Sequence, residues 1–232
     1  MSENTVFVRK YTGDETDLGI NERDILRYSG FAGQPSQADD SLKDLVAEVI
    51  KDLEGAFSYK VCYRRMELDW ENDMPLLPFD ASSKDLATCL AGSKEVILFA
   101  GTIGIGIDRY IAKYQHISPS RALIAQAYGA ERVEALCDLF CGQIRDEVKK
   151  DGLYTTPRFS PGYGDLLLKT QKEICSLLDC SRKIGVSLND SLLMTPSKSV
   201  TAIFGLTACE RKPDRHKCTD CDKEDCEFRI RA

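Results

Sequence analysis

Apolar residues recur along this chain at two spacings, and the switch between them marks out its elements. ERDILRYSGF, Glu22 to Phe31, reads as a short helix closing near Gly30. In SLKDLVAEVIKDLEGAF, Leu42, Leu45, Val46, Val49 and Leu53 fall on one helical face, with Ser41 as the N-cap. YKVCYRRMEL then alternates at period two, as a strand does. SSKDLATCLAG predicts a second short helix, and EVILFAG an apolar strand after it. From Ser118, a capping residue followed by Pro119, helical spacing continues to about Lys150.

The stripe on that long helix changes face midway. Ile124, Ala127 and Tyr128 share one side, whereas Val133, Leu136, Phe140, Ile144 and Val148 share another. Two arrangements fit: a break near Gly129, or a continuous helix covered on two sides. Asp138 lies opposite the second stripe and in line with the first. In a continuous helix it points toward whatever covers the first side. In a broken one it is a solvated charge beside Glu131, Glu134 and Arg145. Downstream, LLLKTQKEICSLLDC reads as a helix with Asp165 near its start, and KIGVSLNDSLLMTPSKSVTAIFG as two strands. Helices and strands mix without a βαβ rhythm, which predicts an α+β fold with helices around an antiparallel sheet.

Composition removes several functions. The 232 residues suffice for a substantial core, and 29% charged with 43% hydrophobic residues is ordinary for a soluble protein. A net charge of -6 without a long basic run argues against nucleic-acid binding. No apolar run approaches the roughly 20 residues of a membrane span. MSENTVFVRK contains no signal-peptide core, so the expected location is the cytoplasm.

Two stretches invite chemistry. In AGTIGIGIDRYIAKY, Gly101, Gly104 and Gly106 precede a helical pattern, but the order is not GxGxxG, and a tight strand-to-helix connection accounts for them. TPRFSPGYGDL offers more. Arg158 presents a planar fork suited to a carboxylate or phosphate. Pro157 and Pro161 stiffen the backbone, Gly162 admits a close ligand, and Tyr163 adds an aromatic face. A ligand with a carboxylate, a positive centre and an aromatic base, such as S-adenosylmethionine, would use all of these. A turn with a surface arginine and a packed tyrosine is the alternative.

Read together, TPRFSPGYGDL and KIGVSLNDSLLMTPSKSVTAIFG resemble the activation domain of cobalamin-dependent methionine synthase, with its R-x-x-x-G-Y loop and its later S-x-x-M-x-P-x-x-S-V segment. VILFAGTIGIGIDRYIAKY and ALIAQAYGAERVEALCD are similar to stand-alone forms of that domain, so the resemblance spans Lys94 to Leu206. It implies S-adenosylmethionine as ligand, and reductive remethylation of an oxidised cobalamin carried by a partner. Carried over by position, Arg158 pairs with the ligand carboxylate. The backbone of the Ser160–Pro161–Gly162 turn contacts the ligand, and Tyr163 lines the methyl-donor side. Asp138, aspartate where the fused enzymes carry glutamate, matches the residue that holds the ammonium. The chain has no D-x-H-x-x-G cobalamin motif, so the implied partner is a separate methionine synthase or another corrinoid protein, with a flavodoxin or ferredoxin as electron source. A metal-binding redox or scaffold protein on the same fold is the rival class.

Of ten cysteines, Cys62, Cys89, Cys137, Cys141, Cys175 and Cys180 lie in apolar surroundings and read as free thiols. Cys209, Cys218, Cys221 and Cys226 crowd into the last 24 residues, at gaps of eight, two and four. Four thiolates in one charged segment suit zinc or an iron–sulfur cluster, and the gaps do not choose between them. His216 is a further candidate ligand. The chain thus divides into an activation-like domain over 1–206 and a cysteine-rich tail over 207–232.

Overall fold

A computed structural model of the chain describes residues 5–12, 18–30 and 40–210. In chain order its elements are β1 (Phe7–Tyr11), α1 (Glu22–Tyr28), α2 (Asp40–Asp52), β2 (Tyr59–Glu67) and a hairpin, β3 (Asp69–Glu71) with β4 (Met74–Leu76). There follow α3 (Lys84–Leu90), β5 (Ser93–Thr102), α4 (Gly106–Tyr114), α5 (Pro119–Lys149), β6 (Tyr154–Thr155), α6 (Thr170–Leu177) and α7 (Cys180–Ile184). A second hairpin, β7 (Ser187–Leu188) with β8 (Met194–Thr195), leads into β9 (Ser199–Thr207).

The main sheet has the order β1-β2-β5-β9-β6, and each neighbouring pair is antiparallel. Its central strands are apolar on both faces, which forces a layer of helix onto each. Ile97 and Phe99 of β5 join Ala202 and Phe204 of β9 in one core with residues of α1, α2, α4 and α5. Val96, Leu98, Ala100 and Ile203 point the other way, into a core with α3, α6 and α7. On the first side Phe140 of α5 is the hub, its ring 4.9 Å from Phe99 and 5.1 Å from Tyr63. This is the predicted α+β arrangement around an antiparallel sheet.

Helix α5 is continuous over 31 residues, so the shift of its stripe records a change of neighbours rather than a break. Gly129 sits where an added Cβ would press on Ile107 of α4 and on Lys198, which makes it a close-packing glycine. Farther along, the second stripe faces the sheet through Phe140.

Other expectations need correction. Ser41 lies inside α2 instead of capping it. The single helix expected from Leu166 begins only at Thr170 and divides at Asp179, whose left-handed φ of 50° separates α6 from α7. The two strands expected after it comprise a two-residue hairpin and the long β9. The glycine-rich turn is architecture: a Cβ on Gly106 would collide with the Ala56 carbonyl, so backbone fills the space a phosphate would need. Among the described residues no helix is long and apolar enough to cross a membrane.

Candidate functional site

The loop carrying Arg158 is positioned by the edge of the sheet. After β6 the chain stays beside β9: Thr156 N–H donates to the Gly205 carbonyl at 2.9 Å, and Phe159 and Ile203 exchange both backbone hydrogen bonds at 2.8 Å. Residues opposite each other across an antiparallel pair share a face, and successive residues alternate. Phe159 therefore enters the second core with Ile203, at 7% exposure, and Arg158 is turned toward α5.

There the guanidinium meets two carboxylates. Arg158 Nη1 lies 2.6 Å from Asp138 Oδ1, and Nη2 lies 2.5 Å from Glu134 Oε2. Glu134 and Asp138 are four apart on a continuous helix and hence share a face. The arginine side chain is only 26% exposed, whereas Asp138 is 74% and Glu134 44% exposed. Burial works against the guanidinium charge, and the facing groups more than offset it, so its pKa is raised. Beside it, burial pushes the Cys137 and Cys141 thiols up, which keeps them protonated and poor nucleophiles. The two carboxylates also line a cleft of about 360 Å³ between α1 and α5, with Asp24 and Tyr28 on its other wall.

Beyond Phe159 the chain makes a compact turn. Pro161 is buried, and Gly162 takes a φ of +92° while its N–H donates to the Leu166 carbonyl at 2.8 Å. Tyr163 N–H donates to the Ser160 carbonyl at 3.2 Å, so the Ser160 carbonyl and the Gly162 N–H each have a partner inside the turn. The Tyr163 ring stands 69% exposed, which replaces the packed tyrosine of the simpler sequence reading. With it, Leu167 and Leu168 are exposed at 59% and 46%.

The structure thus brings Arg158 and Asp138 into contact and sets Ser160, Pro161, Gly162 and Tyr163 in one turn beside them. Asp138 is exposed yet partnered. Sequence reasoning missed Glu134, which it placed among solvated helix charges; the four-residue step to Asp138 was the available signal. It also missed the use of Asp165. That residue does not start α6; its carboxylate accepts from Ser83 Oγ and from the N–H groups of Lys84, at 2.8 Å, and Asp85, at 3.3 Å, at the start of α3.

Cys209 is exposed at the end of β9, its N–H donating to Thr207 Oγ1 at 3.2 Å. Cys218, Cys221, Cys226 and His216 lie outside the described residues. Among the described residues no three histidine, cysteine or acidic side chains group as a metal site. Cys62 and Cys180 are buried free thiols with sulfurs 3.8 Å apart.

The family model for the vitamin B12 dependent methionine synthase activation domain matches residues 83–229. Among solved structures the chain is similar to the MetH reactivation domain bound to AdoHcy, at a TM-score of 0.61 and 14% identity, over 90% of this chain and 80% of that one. At that identity the likeness is one of fold. No curated protein matches the chain.

Proposed function

The chain belongs to the activation-domain family of vitamin B12-dependent methionine synthase, and from that premise we propose that it binds S-adenosylmethionine on the Arg158 to Tyr163 turn and serves the cobalamin of a separate methionine synthase. The observation that carries this reading is the row Glu134–Arg158–Asp138, a cation held between two anions. An amino-acid head group presents the reverse pattern, a carboxylate beside an ammonium. Arg158 has five N–H donors, and its two short contacts leave others for the ligand carboxylate. Asp138 and Glu134 supply acceptors for the ammonium. The row has a formal charge of -1, and S-adenosylmethionine carries +1 through its sulfonium, so the pair is matched in charge as well as in pattern.

Tyr163 stands outside the row on exposed ground, and in this reading its ring lines the methyl-donor side. Cobalamin would be held by the partner; with one electron from a flavodoxin or ferredoxin to reduce its cobalt, it would supply the nucleophile that takes the sulfonium methyl and releases S-adenosylhomocysteine. The chain's own residues hold and orient the donor; they transfer no proton. In this reading the protein shares the cytoplasm with that methionine synthase. The tail cysteines Cys209, Cys218, Cys221 and Cys226 are suited by donor type to zinc or an iron–sulfur cluster.

The test is reconstitution. With a methionine synthase lacking this domain, an electron donor and labelled S-adenosylmethionine, addition of the protein transfers label to cobalamin and restores turnover. Absence of transfer, together with no calorimetric binding of millimolar S-adenosylmethionine, removes the proposal.

A further inference from the structure

The Arg158 to Tyr163 turn is attached to the protein at two feet, and the second is built from residues outside the Glu134–Arg158–Asp138 row. The first foot is Phe159 on β9 together with Arg158 on α5. At the second, Asp165 reaches across to the start of α3. Its carboxylate accepts from the Ser83 hydroxyl and from the Lys84 and Asp85 N–H groups, while Asp85 Oδ2 accepts from Asp165 N–H at 3.1 Å. Ser83 is 1% exposed, and its oxygen accepts from Leu86 N–H at 2.9 Å as the helix N-cap. Its own proton needs an acceptor at that buried position, and Asp165 provides it. That hydrogen bond is the first cause of the lowered Asp165 pKa.

The clasp also dictates the residue before it. Gly164 has a φ of +53°, and a Cβ there would land on Asp85 Oδ2. Leu166, immediately after, is 2% exposed in the second core. The span Ser160–Gly164 is therefore held between two fixed ends, with only Tyr163 and the two glycines open to solvent along its crest.

On these contacts we infer that Asp165, with Ser83 and Asp85, is a positioning residue that holds the turn in its ligand-binding shape without touching the ligand. The inference rests on the proposed S-adenosylmethionine reading of the turn. Its charge adds little to overall stability, because the Asp165 side chain is exposed and screened; its hold on the turn comes through the backbone N–H groups and the buried Ser83 hydroxyl that it satisfies. An ordered turn offers its backbone and Tyr163 ready placed; a loosened one must be ordered again at each binding event.

Two measurements on the whole protein test it. Calorimetry with S-adenosylmethionine compares Asp165→Ala, Asp165→Asn and Gly164→Ala with Val96→Ala, a cavity variant in the same core but away from the clasp. Affinity is expected to fall about ten-fold or more in Asp165→Ala and Gly164→Ala, with partial recovery in Asp165→Asn, which keeps one acceptor oxygen. Val96→Ala is expected to lower the melting temperature and leave affinity unchanged. Amide hydrogen exchange, which needs no ligand, should show Lys84, Asp85 and Gly162 exchanging faster in Asp165→Ala while the β5 and β9 amides stay protected. An affinity loss in Val96→Ala equal to that in Asp165→Ala overturns the inference, as does unchanged exchange at those three amides. If the unsubstituted protein binds no S-adenosylmethionine, the functional reading falls, and the exchange measurement still decides the clasp.

Discussion

Replacing Arg158 with alanine separates what the guanidinium does for the fold from what it does for a ligand. Each of its two ion pairs has one largely solvated partner, Asp138 at 74% and Glu134 at 44% exposure. Such pairs contribute about 0.2–1 kcal/mol each. With the packing of the arginine stem, the stability loss comes to about 1–2 kcal/mol, a fall in Tm of roughly 2–8 °C for a chain of this size. The ligand loses more. A charge-assisted hydrogen bond to a carboxylate contributes about 1.5–3 kcal/mol, or roughly 10- to 150-fold in Kd. Removing the cation also leaves Glu134 and Asp138 facing each other as like charges. Arg158→Lys is the informative companion: one ammonium keeps the charge but cannot span both carboxylates as the planar fork does. Stability should largely return in the lysine variant, and affinity only in part. Isothermal titration with S-adenosylmethionine, beside a thermal melt of each variant, supplies both numbers. A folded Arg158→Ala protein that binds S-adenosylmethionine with the Kd of the unsubstituted chain would refute the assignment of the guanidinium to the ligand carboxylate.

Three further outcomes are expected. The preference for S-adenosylmethionine over S-adenosylhomocysteine should shrink as salt rises from about 0.05 to 0.5 M, since it depends on one sulfonium charge, and Glu134→Gln should flatten the response; parallel salt curves for both ligands would contradict the charge argument. Cys62, Cys137 and Cys180, all buried, should resist iodoacetamide in the native protein and react only on unfolding, whereas Cys209 should react readily unless bound to metal; native labelling of Cys137 would show that its surroundings open. Protein purified without oxygen should contain stoichiometric zinc, or iron with sulfide, and lose it in Cys218→Ser and Cys221→Ser; metal-free protein would leave the tail as free thiols.

Periodicity revealed the elements that carry a full apolar face, and missed those that do not. Strand β2 follows from alternation and β5 from a continuous apolar run, and both lie within the covered sheet. FVRKY of β1 lies at the sheet edge and mixes exposed and buried positions over five residues, too few to stand out. The β3–β4 hairpin had a legible cue: Asn72 and Asp73 both take positive φ, at 50° and 63°, in a two-residue turn for which asparagine and aspartate are favoured. At the site, the turn and Asp138 were accessible through their resemblance to a known loop, but the contact between Arg158 and Glu134 was not. It depends on which way the strand-like residues 158 and 159 alternate against β9, and that register is set by pairing rather than by local sequence. Asp165 was misread for a related reason. A carboxylate at the head of a helical pattern is counted with that helix, and only the fold reveals that it accepts from the N-terminus of another.

The position of β9 between β5 and β6 also bears on the order in which the molecule is made. Synthesis delivers β1, β2 and β5 first, and until residues 199–207 emerge, β5 is an unpaired edge that is apolar on both faces. Such an edge is a template for association with other chains. The same event that covers it, docking of β9, supplies Ile203 as the anchor for Phe159 and so turns Arg158 toward Glu134 and Asp138. The charge row is therefore completed only when the sheet is closed. A nascent or truncated chain ending before Ile203 has the Arg158 turn in its sequence without the means to aim it.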